Sequence, residues 1–139
     1  MGMRISHIST IVRNLDVGIA RYKAVFGVDP RLSGAVPHEG VKYAKIPVGG
    51  IDMELIEPTA DNAVSKHLDW RGEGIHHIGF VVDDLDREIE GLEARGVELA
   101  APYKNTVGFT APDYVSRYAM IRPRFANGVL IAYTQRDPV

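Results

Sequence analysis

Two histidines and one glutamate stand at positions where a repeated pattern would bring them together. His7 lies in Ile5-Ser6-His7-Ile8-Ser9-Thr10-Ile11-Val12, and His77 in Gly74-Ile75-His76-His77-Ile78-Gly79-Phe80-Val81-Val82. Both stretches are rich in β-branched, apolar residues, the pattern of a strand with little contact with water. From each histidine the chain continues in step: Ile8 with Ile78, Ile11 with Val81, Val12 with Val82, Leu15 with Leu85, Asp16 with Asp86 and Ile19 with Ile89. The later parts match as well. Tyr43-Ala44-Lys45-Ile46 falls on Tyr118-Ala119-Met120-Ile121, and Gly50-Ile51-Asp52-Met53-Glu54 on Gly128-Val129-Leu130-Ile131-Ala132. Two copies related by a pseudo-twofold axis would set position 7 against 77 and 54 against 132. The four places hold His7, Glu54, His77 and Ala132.

Two imidazoles and one carboxylate on rigid strands form a donor set for a divalent metal ion: Zn, Fe, Mn, Co or Ni. Three protein ligands leave positions open for water or substrate, which catalysis by a metal requires. A lone strand histidine is more often a hydrogen-bonded structural residue than a ligand; the repeat is what favours the ligand reading here. Glu54 adds to it, because a carboxylate on an otherwise apolar strand needs a cation, an arginine or a proton. His76 should point away from His77 and serve structure. His38 and His67 lie in polar segments and are expected to be solvated.

The elements that must position these residues follow the chain. A strand over Ile5 to Val12 leads to a helix with capping side chains at Asn14 and Asp16, an apolar face of Val17, Ile19, Ala20, Tyr22, Ala24, Val25 and Phe26, and a stop at Gly27. A weak strand at Asp29 to Ser33, a turn at Pro37 to Gly40, and strands Val41–Pro47 and Ile51–Glu57 around a Gly49-Gly50 hairpin complete a βαβββ unit. Asp61 to Trp70 reads as a short connecting helix with Val64, Leu68 and Trp70 inward. The second unit has a strand over Gly74 to Val82, a helix over Asp84 to Arg95 with Leu85, Ile89 and Leu92 on one face, and a weak strand at Glu98 and Leu99. A loop over residues 101–112 and strands Val115–Ile121 and Val129–Tyr133 follow. The expected fold class is α+β: two tandem βαβββ units forming a cleft-shaped mixed sheet. The whole chain, 1–139, would be a single domain made of units 4–58 and 74–135 joined by 59–73.

Composition narrows the function. The 139 residues carry a net charge of −2, which offers nothing to nucleic acid or to an acidic membrane surface. No cysteine is present, which rules out disulfides, thiolate metal sites and a cysteine nucleophile. No apolar run approaches the length of a membrane span, and the N-terminus runs directly into a strand pattern without the form of a signal peptide. A cytoplasmic protein acting on a small molecule is the expectation.

These residues resemble the vicinal oxygen chelate (glyoxalase/bleomycin resistance/dioxygenase) superfamily over nearly the whole chain. Within it, they are most similar to the methylmalonyl-CoA epimerase family. The segments that carry the resemblance are Ile5-Ser6-His7-Ile8, Met53-Glu54-Leu55-Ile56-Glu57-Pro58, Gly74-Ile75-His76-His77-Ile78, Arg95-Gly96-Val97 and Asn127-Gly128-Val129-Leu130-Ile131 with Thr134-Gln135. The resemblance implies metal ligands at His7, Glu54 and His77, and a homodimer, for which exposed sheet edges and Trp70 offer surface. It also implies a glutamate at position 132, as ligand and base, and a second acidic base at position 43. Here those places hold Ala132 and Tyr43.

Proton transfer would then fall to other groups. Tyr43 and Tyr118 are repeat-related and should both face the cleft, where a phenol beside a dication can act as acid or base; the plainer reading is that they only line the pocket. Tyr133, next to Ala132, should point away. The function expected is a metal-dependent isomerase or lyase acting beside a carbonyl of a small acyl or natural-product substrate. One alternative is a non-haem iron dioxygenase, although those enzymes take the carboxylate from the second unit. Another is a non-catalytic small-molecule binding or resistance protein, which would have no need of His7, Glu54 and His77.

Overall fold

A computed structural model describes residues 2–100, 106–110 and 114–139, with backbone alone for 106–110. In chain order the elements are β1 (Met3–Ile11), α1 (Leu15–Phe26), β2 (Leu32–Val36), a 3-10 turn (Pro37–Glu39), β3 (Val41–Val48), β4 (Ile51–Pro58), α2 (Ala63–Arg71), β5 (Gly74–Val82), α3 (Leu85–Ala94), β6 (Thr106–Thr110), β7 (Tyr114–Ile121), a second 3-10 turn (Pro123–Phe125) and β8 (Ile131–Pro138). The class is α+β with mixed strand pairing, as expected. The chain divides into two compact units, His7–His76 and Met1–Ser6 with His77–Val139.

In the first unit the strands run in the order β2-β3-β4-β1. β3 is antiparallel to β2 and to β4, and β1 is parallel to β4. Gly49 and Gly50 both have positive φ, which the tight turn between β3 and β4 demands and which glycine adopts without steric cost. That two-residue turn pairs Val48 with Ile51 and so fixes every pair behind it, including Lys45 with Glu54 and Tyr43 with Ile56. Because side chains alternate, Ala44, Ile46, Met53 and Leu55 face one way and pack with Val12 and Leu15. Tyr43, Lys45, Asp52, Glu54 and Ile56 face the other.

Helix α1 covers the apolar side. Asn14 caps it, its side chain accepting from Val17 N at 3.0 Å, and Glu57 of β4 accepts from Leu15 N at 2.8 Å. Both satisfy amides that a helix start leaves without intrahelical partners, and the acidic group suits the positive end of the helix dipole. The packed face is Leu15, Gly18, Ile19 and Tyr22, not the broader stripe that the sequence suggests; Val17, Ala20, Ala24, Val25 and Phe26 are exposed. The reason is Gly18. A Cβ there would sit 3.2 Å from Leu55 Cδ1 and 3.3 Å from Val12 Cγ1, so the helix lies close on the sheet along this line and turns its other apolar residues to solvent. Trp70, expected inward on α2, is 76% exposed; of that helix Leu68 is the buried residue.

The second unit repeats the plan in the order β5-β8-β7-β6. β5 is parallel to β8, and β7 is antiparallel to both β8 and β6. Val82, Leu85, Ile89 and Ala119 form its core under α3, with Tyr133 packed against them. The helix-start device recurs: Asp84 accepts from Arg87 N at 3.1 Å and Gln135 from Leu85 N at 2.8 Å. Three local expectations change here. Glu98-Leu99 is a single bridge from Leu99 to Ile121 and no strand. Part of the expected loop over 101–112 is β6, while residues 101–105 and 111–112 lie outside the described residues. The last strand begins later and runs to Pro138, because its polar residues are used: Gln135 caps α3, and Asp137 pairs with Arg117 at 2.8 Å.

Replacing Gly18 with Leu should lower the unfolding free energy by roughly 1–3 kcal/mol, since the added side chain overfills a close helix–sheet contact. Urea denaturation measures it; an unchanged midpoint would mean that the contact relaxes without cost.

Candidate metal centre

His7 on β1, Glu54 on β4 and His77 on β5 each offer a ligand atom, and these atoms all lie within 4.8 Å of one another. A divalent ion with bonds near 2 Å holds its ligands on the order of 3–4 Å apart, so small side-chain adjustments suffice to close the group on an ion. His7 is buried and the other two are half-buried. The register accounts for the placement of the first two: β1 runs parallel to β4 with Ser9 opposite Glu54 and His7 opposite Asp52, so all four share the face away from α1. Thr10, on the alternate side, accepts a hydrogen bond from Tyr22 of that helix.

Glu54 is held by two further groups. The buried Ser9 hydroxyl donates to Oε1 at 3.0 Å, and Lys45 Nζ lies 3.3 Å from Oε2. The Lys45 side chain is only 5% exposed. Asp52, the next residue on this face of β4, is buried and accepts two hydrogen bonds from the Arg31 guanidinium, at 2.9 and 2.6 Å. A bidentate guanidinium is the strong form of such a pair. Sequence reading missed Lys45. The signal was available: counting back from the Gly49-Gly50 turn places 45 opposite 54, and period-2 alternation places Lys45 on the Tyr43 face.

Tyr43 is 7% exposed, and the residue across from it on β2 is Gly34, where a Cβ would come within 3.0 Å of the tyrosine hydroxyl. The absence of a side chain at Gly34 makes the space that this hydroxyl uses. Tyr118 is half-buried on β7 opposite Thr134, on the side away from the α3 core. Tyr133 faces that core, as expected, and makes an edge contact with Phe80. Ala132 is buried opposite Met120 and beside Gly79.

The remaining histidines differ from one another. His38 is exposed, as expected. His67 is only partly solvated: it is half-buried, its Nδ1 is buried without a hydrogen-bond partner, and its ring meets His76 edge-on at 5.0 Å. His76 is held down to a pKa of about 4 by burial, with the neighbouring His67 adding to the effect and the Glu54 charge opposing it. It is therefore a neutral packing imidazole near pH 7. Glu39, at the end of the first 3-10 turn, is raised above the usual carboxylate range by burial, with His38 opposing and the Glu54 charge adding. Its Oε1 is buried without a hydrogen-bond partner.

Because His76 takes up a proton more readily in the unfolded chain, its contribution destabilises the fold as pH falls from the ordinary histidine value of 6.5 toward about 4. In chelator-treated protein, His76→Gln should make the loss of stability over that window shallower. Parallel pH profiles for the two proteins, read by denaturant midpoints, would contradict the assignment.

A profile of the Glyoxalase/Bleomycin resistance protein/Dioxygenase superfamily matches residues 6–111. The uncharacterized protein YqjC of Bacillus subtilis is 31% identical over 131 residues, covering 92% of this chain and 89% of that one. The mitochondrial methylmalonyl-CoA epimerase of Dictyostelium discoideum is 24% identical over 135 residues, 96% of this chain and 78% of the relative. A Streptomyces coelicolor methylmalonyl-CoA epimerase variant, solved in complex with 2-nitronate-propionyl-CoA, superposes with a TM-score of 0.83 at 27% identity, covering 97% of this chain and 95% of the other. With its family profile, its paired α+β units and its His-Glu-His group, the chain belongs to the glyoxalase/bleomycin resistance/dioxygenase superfamily, the vicinal oxygen chelate group.

Proposed function

We propose that this protein is a metal-dependent isomerase or lyase that moves a proton beside a carbonyl of a small acyl substrate, in the manner of the epimerases it resembles. The observation that carries the reading is the convergence of His7, Glu54 and His77 in a chain similar to methylmalonyl-CoA epimerases. The donor chemistry fits a divalent ion such as Zn, Fe, Mn, Co or Ni. Bound there, such an ion polarises a carbonyl and stabilises negative charge that develops on its oxygen.

The chain's own residues carry the rest. His7, Glu54 and His77 hold the centre. Ser9 fixes one oxygen of Glu54 and so orients the carboxylate, as outer-sphere hydrogen bonds do around metal ligands. Ala132 can neither bind a metal nor take a proton, so the fourth ligand position is left to substrate. Tyr43 and Tyr118 are the proposed proton-handling pair. The Tyr43 hydroxyl sits in the gap above Gly34, and burial on the Glu54 face keeps bulk water from it. The proposal takes the whole chain as one functional domain, a cytoplasmic homodimer with Trp70 among the surfaces available for pairing. Among the described residues no helix is long and apolar enough to cross a membrane.

Two measurements test this. Protein reconstituted with a divalent ion and then desalted should retain about one ion per chain. His77→Ala should lose that ion while still unfolding cooperatively. Normal metal retention by the variant would place the centre elsewhere. With methylmalonyl-CoA or a related acyl thioester in deuterium oxide, the metal-loaded protein should exchange the α-proton, and Tyr43→Phe should slow that exchange by roughly 10²–10⁴-fold if the phenol is the acid or base. Exchange that is unaffected in the variant would remove Tyr43 from the chemistry and leave it as pocket lining.

A further inference from the structure

Proton transfer beside a carbonyl leaves a proton to be passed to water, and the buried Tyr43 hydroxyl has little access to water of its own. The turn that joins β2 to β3 closes the strand pair holding that hydroxyl. Gly34 stands opposite Tyr43 and Val36 opposite Val41, so the turn begins two residue steps, about 7 Å, beyond the phenol. Glu39 ends this 3-10 turn. Its Oε1 is buried with no hydrogen-bond partner, yet the side chain as a whole is 30% exposed. Glu39 thus reaches from the interior to the surface. His38, exposed beside it, has Nε2 4.0 Å from the same oxygen.

The turn is clamped. Asn62 Nδ2 donates to Glu39 O at 3.4 Å and to Gly40 O at 3.0 Å, and Thr59 N donates to Gly40 O at 2.8 Å. Asn62 Oδ1 accepts from Ser65 N at the start of α2. Gly40 has a φ of +66°, and a Cβ there would sit 2.6 Å from Asn62 Nδ2, so the clamp needs glycine. A buried oxygen without a partner on so fixed a turn costs stability unless it is used. Burial holds the Glu39 carboxyl above its ordinary range; His38 on its own turn opposes this and the Glu54 charge on β4 adds to it. Its proton affinity is thereby brought closer to that of a phenol.

We propose that Glu39, with His38 at the surface, is a proton relay between Tyr43 and bulk water. The proposal rests on the reading of Tyr43 as acid or base. Once the phenolate form of Tyr43 has taken a proton from the substrate carbon, the phenol passes one to Glu39 Oε1, within hydrogen-bond reach or across one water. The carboxylic acid then gives a proton to His38 Nε2 or to water and returns to carboxylate. Each step moves one proton from a donor to an acceptor and needs no redox partner. Glu39 is no metal ligand in this role.

Two measurements test the relay. The first needs neither metal nor substrate. Above the ordinary glutamic acid value of 4.5, the infrared spectrum of metal-free protein should keep a deuterium-sensitive band of a protonated carboxyl that Glu39→Gln removes. Matching spectra would make Glu39 an ordinary carboxylate and overturn the proposal. The second follows inversion of methylmalonyl-CoA by metal-loaded protein, with and without 2,6-lutidine, a proton carrier too crowded to ligate a metal. Proton exchange with water follows the chemistry, so Glu39→Gln should lower kcat by roughly tenfold or more and kcat/KM far less. Lutidine should restore kcat in that variant in proportion to its concentration and leave the unaltered protein unchanged. Glu39→Asp, which keeps a carboxyl, should lose less and respond less. Equal kcat in the glutamine variant, or a loss that lutidine does not restore, would overturn the relay while leaving the proposed reaction in place. Absence of inversion in the unaltered protein would overturn both.

Discussion

The pairing of β3 with β4 across the Gly49-Gly50 turn is the constraint on which the first unit depends. Both glycines take backbone angles that other residues reach only with strain, so the turn has a fixed length and the strands a fixed register. One residue of slippage would exchange the two faces of each strand. Leu55 and Ile46 would leave α1, and Glu54 and Lys45 would enter an apolar core. The cost of burying two charges under a helix, added to the loss of the core, makes the observed register the only economical one. The placement of a candidate metal ligand is thus a by-product of how the core is built.

The face opposite α1 is organised by charge pairs. Arg31 grips Asp52 with two hydrogen bonds, and Lys45 and Ser9 hold the two oxygens of Glu54. A buried ion pair such as Lys45 with Glu54 adds little net stability, because desolvation offsets most of the attraction. Its value is in position: a carboxylate held at both oxygens has one orientation. The second unit keeps the architecture and discards the charges, with Met120 and Ala132 at the corresponding places. Where the family resemblance implies acidic groups at positions 43 and 132, the chain carries a phenol and a methyl group on the same strand frame.

Much of the frame was legible from residues alone. β5 and α3 have clear periodicity and clear ends, and they fall where Gly74, Val82, Leu85 and Leu92 place them. Internal repetition located His7, Glu54 and His77, because equivalent positions in two copies constrain each other. What was not legible depended on tertiary contact. Gly18 looks like a helix weakness in sequence, yet it selects the face on which α1 packs. Trp70 reads as core and is exposed. His67 reads as fully solvated and is half-buried with one ring edge on His76. The strand at Thr106–Thr110 is hidden by Gly108 and by the prolines flanking its segment. Gln135 and Asp137 look like a polar tail because their role is hydrogen bonding and not burial. Lys45 was readable from the turn by counting, but lysine in a strand is so often a surface residue that only its burial draws notice.

The central claim is that His7, Glu54 and His77 hold one divalent ion. X-ray absorption on cobalt- or zinc-loaded protein measures this directly. A first shell of nitrogen and oxygen near 2.0–2.1 Å, with the outer-shell scattering of two imidazoles, is the predicted result. A shell of oxygen alone, with no imidazole scattering, would contradict it.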